Sequence, residues 1–149
     1  MSGSNTPRVK LHHVGVAVKS VDGTSAALGR ILGLAFDAPQ SVAAQQVKIA
    51  YSNGDGAALE LVEATSDKSP LYPILDHPIH AFIAKHGEGM HHLCFEVEGL
   101  DALLDDLARE GIETVGGGIL EGSHDGRVAF LNPADCAGLL IELREAQSD

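Results

Sequence analysis

Residues 11–18 read Leu-His-His-Val-Gly-Val-Ala-Val, and residues 90–97 read Met-His-His-Leu-Cys-Phe-Glu-Val. Each segment is an apolar residue, a histidine pair and a strand-like apolar run. The second histidines, His13 and His92, hold matching places in the two segments. A helical stretch follows each segment, Val21–Leu32 and then Leu100–Glu110, and each meets a glycine, Gly33 or Gly111, as a helix stop does. Two strands follow in each half: Gln46–Ser52 and Ala58–Glu63 across the turn Asn53-Gly54-Asp55-Gly56, then Arg127–Leu131 and Leu139–Arg144 across residues 132–137. Glu60 lies in the first half's last strand and Glu142 in the second's. Their spacing is close to that of the two histidines, and small loop insertions explain the drift. A further short strand is predicted within Phe36–Val42, with Ile112–Val115 as its counterpart just before the glycine run Gly116–Gly118.

The chain divides accordingly into a tail (1–10), module one (11–64), a linker (65–89), module two (90–145) and a C-terminal tail (146–149). Modules this small cannot each bury a good core, so they are expected to pack as one pseudo-symmetric domain. Pro70, Pro73 and Pro78 exclude a long helix from the linker, although residues 79–86 fit one or two helical turns.

Composition narrows the function classes. A net charge of −11 argues against nucleic-acid or anionic-membrane partners, which need a positive face. No window approaches the roughly 18 apolar residues of a membrane span, and the N-terminus lacks the apolar core of a secretory signal. Two cysteines, Cys94 and Cys136, make no disulfide framework and fit buried thiols in a reducing, cytoplasmic setting.

Strand alternation carries the functional expectation. Leu59 and Leu61 must point opposite to Glu60, and Ile141 and Leu143 opposite to Glu142. If the aliphatic face packs on the helices, both glutamates face the other side of the sheet. Pairing of the halves then brings His13, Glu60, His92 and Glu142 into one concave site. Two imidazoles and two carboxylates suit a divalent transition metal, and a cation removes the cost of burying two carboxylates together. By the same parity His12 and His91 are expected on the helix-facing side as structural residues. His77, His80, His86 and His124 are scattered in loops and carry no spacing signal of their own.

At these residues the sequence resembles the vicinal oxygen chelate superfamily and, within it, the methylmalonyl-CoA epimerase family. The segments that carry the resemblance are 12–18, 87–97, Arg127–Pro133 and Gly138–Leu143, with Ser69-Pro70 and His124-Asp125-Gly126 in support. It implies an α+β fold of two βαβββ modules forming an incomplete barrel around one divalent metal ion (cobalt, manganese, nickel or zinc), held by His13, Glu60, His92 and Glu142. It also implies epimerisation of a malonyl-type thioester, methylmalonyl-CoA foremost, by α-proton removal and return through a metal-stabilised enolate. Glu142 and Glu60 are the candidate bases, with Glu142 the stronger; metal-bound water is a competing one. A small acyl-CoA substrate follows from the same resemblance, and a homodimer is expected because small paired-module proteins often dimerise. Two departures stand out: Leu71–Pro78 looks like an insertion in the linker, and Gln45 and Gln46 stand where some epimerases carry a carboxylate. Arg8, Lys10, Lys48, Lys68 and Arg127 are the cations available to CoA phosphates. The same ligand types serve a glyoxalase I-like lactoylglutathione lyase, while some relatives only bind ligands. A dioxygenase is disfavoured by the fourth ligand, because its metal centre uses two histidines and one carboxylate.

Overall fold

The computed structural model describes residues 9–147. Module one runs β1 (Val9–Ala17), α1 (Val21–Leu32), β2 (Gln40–Val42), β3 (Val47–Tyr51), β4 (Ala58–Ala64). After α2 (Pro78–His86), module two runs β5 (Gly89–Val97), α3 (Leu100–Arg109), β6 (Thr114–Glu121), β7 (Arg127–Leu131), β8 (Ile141–Glu145). The strands form a single mixed sheet in the order β2-β3-β4-β1-β5-β8-β7-β6. Each module contributes one half, and the antiparallel β1–β5 pair joins them. The sheet curls into an incomplete barrel.

The expected βαβββ order is therefore present twice. β1 begins at Val9, so Val9 and Lys10 belong to the strand rather than to a tail; residues 1–8, Arg8 included, and 148–149 lie outside the described residues. The strand expected at Ile112–Val115 instead starts at Thr114 and runs on through the glycine run Gly116–Gly118, the middle of β6, where pairing with β7 slips between Val115 and Leu120. Glycine fits there because all three adopt positive φ, which side chains resist.

Local signals explain the helices. Ser20 caps α1 by accepting the Gly23 N–H, and Gly33 ends it in the left-handed conformation. Pro78 occupies the first turn of α2, where its missing N–H costs nothing. His77 caps that helix by accepting the Ile79 N–H on Nδ1.

Two clusters cover the convex face. Leu61 and Ala50 pack with Val18 and Val21 of the α1 side, and Leu143 and Leu131 pack with Leu100 of α3. The leucines beside the two glutamates thus take the helix face, as strand alternation requires. A third cluster, with Val47, Ile49, Val62 and Ile79, brings α2 onto the concave side of module one. No described helix is long and apolar enough to cross a membrane.

Candidate active site

The four central strands bring His13, Glu60, His92 and Glu142 together on the concave face. Across parallel β1–β4, Glu60 is opposite Gly15; across parallel β5–β8, Glu142 is opposite Cys94. Across antiparallel β1–β5, Gly15 is opposite His92 and His13 opposite Cys94. Gly15 and Cys94 are therefore matching positions of the repeat, each following its histidine, His13 or His92, by the same short step along the strand. Small residues are needed at both: a Cβ on Gly15 would fall inside the His92 ring, and Cys94 lies in a tight group with His12 and His13.

The four side chains converge. His13 Nε2 and His92 Nε2 are 3.2 Å apart. Glu60 Oε1 lies 3.4 Å from the first and 3.3 Å from the second. Glu142 Oε1 lies 3.1 and 3.3 Å from the same two atoms. Exposure is 1 % for His13, 7 % for Glu60, 8 % for His92 and 6 % for Glu142. Despite these short distances, Glu142 Oε1 is a buried oxygen with no aligned hydrogen-bond donor among the described residues. The four donor atoms face one another around a common point. That arrangement, with two nitrogen and two carboxylate donors, fits a divalent transition metal.

Without a cation the cluster holds protons instead. Burial alone would depress His92, but the adjoining Glu142 and Glu60 carboxylates overcome it and raise the imidazole to about 9. His13 is raised in the same way, against its burial, by Glu142 and Glu60. Burial would push both carboxyls up, yet the two histidines hold Glu60 and Glu142 below the ordinary carboxylate range. Both glutamates are thus ionised at neutral pH.

Alternation misplaces the other two histidines. In the β1–β5 ladder Leu11 faces Phe95 and His13 faces Cys94, so His12 is one residue too many; Gly15 faces His92 and Val16 faces Met90, so His91 is another. Each is a β-bulge, which re-aims side chains that a regular strand would send to the opposite face. His12 Nδ1 consequently lies 2.7 Å from His13 Nδ1, and His91 Nδ1 lies 2.9 Å from His92 Nδ1. His91 lines the same cavity as His92.

That cavity has a volume of about 350 Å³. Among the described residues, Glu60 and Glu142 are the only carboxylates on its wall, and no lysine or arginine lines it. The linker supplies part of the wall through Ser69–Tyr72 and His77–Ile79. Gln45 also lines it, but its side-chain amide donates to the Glu121 backbone carbonyl and its backbone carbonyl meets His77 Nε2. Of the cations named from sequence, Lys48 pairs with Asp22, Lys68 with Asp76, and Arg127 with Asp101 and Glu145.

Several residues of the site carry no motif of their own. Tyr51 stands opposite Glu60 on β3, and Phe130 opposite Glu142 on β7, at the same offset that separates His13 from His92. Tyr51 meets the His13 ring edge-on at 5.2 Å, and Phe130 the His92 ring at 6.2 Å. The Tyr51 hydroxyl is 2.6 Å from Ser123 Oγ, crossing from one module to the other. Buried Arg144 donates to both the hydroxyl and the carbonyl of Ser123. His124, in the left-handed region at φ 53°, stacks on Tyr51. The aromatic pair was open to discovery through the repeat offset; the Ser123–Arg144 contacts had no signal in the sequence.

The family model of the Glyoxalase/Bleomycin resistance protein/Dioxygenase superfamily matches residues 12–130. An uncharacterized Bacillus subtilis protein, YqjC, is 30 % identical over 94 % of this chain and 94 % of its own. The human mitochondrial methylmalonyl-CoA epimerase is 32 % identical over 92 % of this chain and 74 % of its own length. The crystal structure of the Mycobacterium tuberculosis methylmalonyl-CoA epimerase superposes with a TM-score of 0.82 at 27 % identity, covering 99 % of this chain and 94 % of that one.

Proposed function

The chain belongs to the glyoxalase/bleomycin resistance/dioxygenase superfamily, and from that premise we propose that it is an isomerase: an epimerase of a malonyl-type CoA thioester, methylmalonyl-CoA foremost. The carrying observation is the pair of glutamates, the only carboxylates on the cavity wall among the described residues, set on matching strands on either side of two imidazole nitrogens. Epimerisation needs a base to remove the α proton and an acid to return one to the opposite face. Two pseudo-symmetric carboxylates meet that requirement.

In this reading His13, Glu60, His92 and Glu142 hold one divalent ion. When bound, the ion supplies Lewis-acid stabilisation to the negative charge that develops on the thioester as the proton leaves. The remaining work falls to the chain. Each glutamate turns Oε1 toward the imidazoles, which leaves Oε2 as the atom to hold a proton. The imidazoles keep both carboxyls ionised, so either can start as the base, and the other must first take a proton from solvent before it can return one to the opposite face. Glu142 is the stronger candidate, because its ladder partner on β7 is Phe130, which carries no hydroxyl, whereas that of Glu60 on β3 is Tyr51, which does. The cavity admits the acyl head, and the lack of lysine and arginine on its wall among the described residues leaves the CoA phosphates outside it. A cytoplasmic homodimer completes the reading, and sedimentation tests its stoichiometry.

The test uses metal-loaded protein with one stereoisomer of methylmalonyl-CoA in one arm and the hemithioacetal of methylglyoxal and glutathione in the other. Inversion of the thioester without formation of lactoylglutathione is expected. Lactoylglutathione formation without inversion would replace this reading by the lyase.

A further inference from the structure

We infer that His12 and His91, the extra residues of two matching β-bulges, are positioning residues: each accepts a hydrogen bond from Nδ1–H of the histidine that follows it and so fixes Nε2 as the donor atom of His13 and of His92. The inference rests on the metal reading above and concerns only how the two imidazoles are aimed.

The geometry carries it. In both pairs the contact is Nδ1 to Nδ1, at 2.7 Å for His12–His13 and 2.9 Å for His91–His92. A neutral imidazole has one N–H and one lone pair. The Nε2 atoms of His13 and His92 face each other and the two glutamates. If these Nε2 atoms present lone pairs to a cation, the protons of both rings sit on Nδ1. His12 and His91 must then accept at Nδ1 and carry their own protons on Nε2.

The bulges show that the contact is built. Regular alternation would send His12 and His91 to the helix face. Instead the β1–β5 ladder gives up a pairing position twice, at equivalent sites of the two modules. Aromatic rings hold the accepting imidazoles in turn: Phe82 of α2 meets His91 edge-on at 5.0 Å, and Tyr51 meets His12 at 6.0 Å. Partners of this kind fix the tautomer and orientation of metal-binding histidines, and losing one typically costs about 10–100-fold in metal affinity.

The experiment titrates Mn²⁺ into the metal-free full chain, reading free Mn²⁺ by electron paramagnetic resonance. His12→Leu and His91→Leu should each bind about 10–100-fold more weakly than wild type. His12→Asn and His91→Asn, whose Oδ1 restores an acceptor near the lost Nδ1, should recover most of that loss. In Zn²⁺-loaded wild type, long-range ¹H–¹⁵N spectra should show the proton of His13 and of His92 on Nδ1, and that of His12 and of His91 on Nε2. Folded Leu variants with wild-type affinity, Asn variants as weak as the Leu variants, or the opposite tautomers in wild type would each overturn the inference while leaving the metal reading intact. Wild type that takes up neither ion overturns the metal reading and this inference with it.

Discussion

The two modules repeat each other closely around the cluster and differ in what backs it. In both, a histidine, a bulged histidine before it, and a glutamate on the next parallel strand recur with the same register. Behind them the modules part. Module one has Gly15 under the His92 ring and Tyr51 beside Glu60; module two has Cys94 near His13 and Phe130 beside Glu142. Symmetry thus supplies the converging donors, and the asymmetric backing gives two like carboxylates unlike surroundings. That difference is what an epimerase needs, since one group must take a proton while the other gives one.

The sharpest way to break the comparison is to exchange each carboxylate for an amide. Glu142→Gln, measured at full metal occupancy, should lose about 10²–10⁴ in turnover. Glu60→Gln should lose distinctly less. Equal losses would make the two modules chemically equivalent. Recovery of Glu142→Gln activity with excess metal would reduce Glu142 to a ligand.

Acidity tests the half the modules share. His92, raised to about 9 by Glu142 and Glu60, carries a proton at pH 7 in the metal-free protein, and an incoming cation must displace it. Metal affinity should therefore rise with pH by about tenfold per unit for each imidazolium proton displaced, and flatten above about 9. The stability of the metal-free chain should move the opposite way. A raised folded-state pKa stabilises fully below the ordinary value of 6.5, and that contribution is lost as pH climbs through about 9. Isothermal titration and thermal melts across pH 6–10 check both signs.

Gly15 and Cys94 sharpen the comparison further. Gly15→Ala forces the His92 ring to move and should cost about 1–3 kcal/mol, as overpacking does, with a matching fall in metal affinity. Cys94→Ala should be milder, because it removes atoms rather than adding them. Denaturant melts of both variants decide the order. The smallest effect belongs to Tyr51→Phe, which removes the hydrogen bond to Ser123 and should cost about 1 kcal/mol while sparing Glu142 chemistry. The companion Phe130→Tyr gives Glu142 the hydroxyl neighbour that Glu60 has, and should lower turnover more than stability.

These pairs also show how far the sequence could be read. His13, His92, Glu60 and Glu142 were legible because a repeat turns four weak signals into one, and strand parity correctly assigned Leu61 and Leu143 to the helix face. Parity fails at His12 and His91 because a bulge inserts a residue into the ladder, and a period of two has no means of registering it. The strand before the glycine run reads as ending at Val115 because glycine usually punctuates strands, whereas β6 carries the run within a register slip. The bond from Tyr51 to Ser123 joins distant parts of the chain, and Arg144 reaches the same serine from another strand. Such contacts arise only once the sheet has curled.

Proton exchange at the α carbon of methylmalonyl-CoA in heavy water, followed by NMR with metal-loaded protein and with the same protein after chelation, tests the epimerase chemistry most directly. Incorporation of deuterium by the loaded protein, lost on chelation and restored by adding the ion back, is the predicted result. No exchange above the solvent rate from fully loaded, folded protein would contradict it.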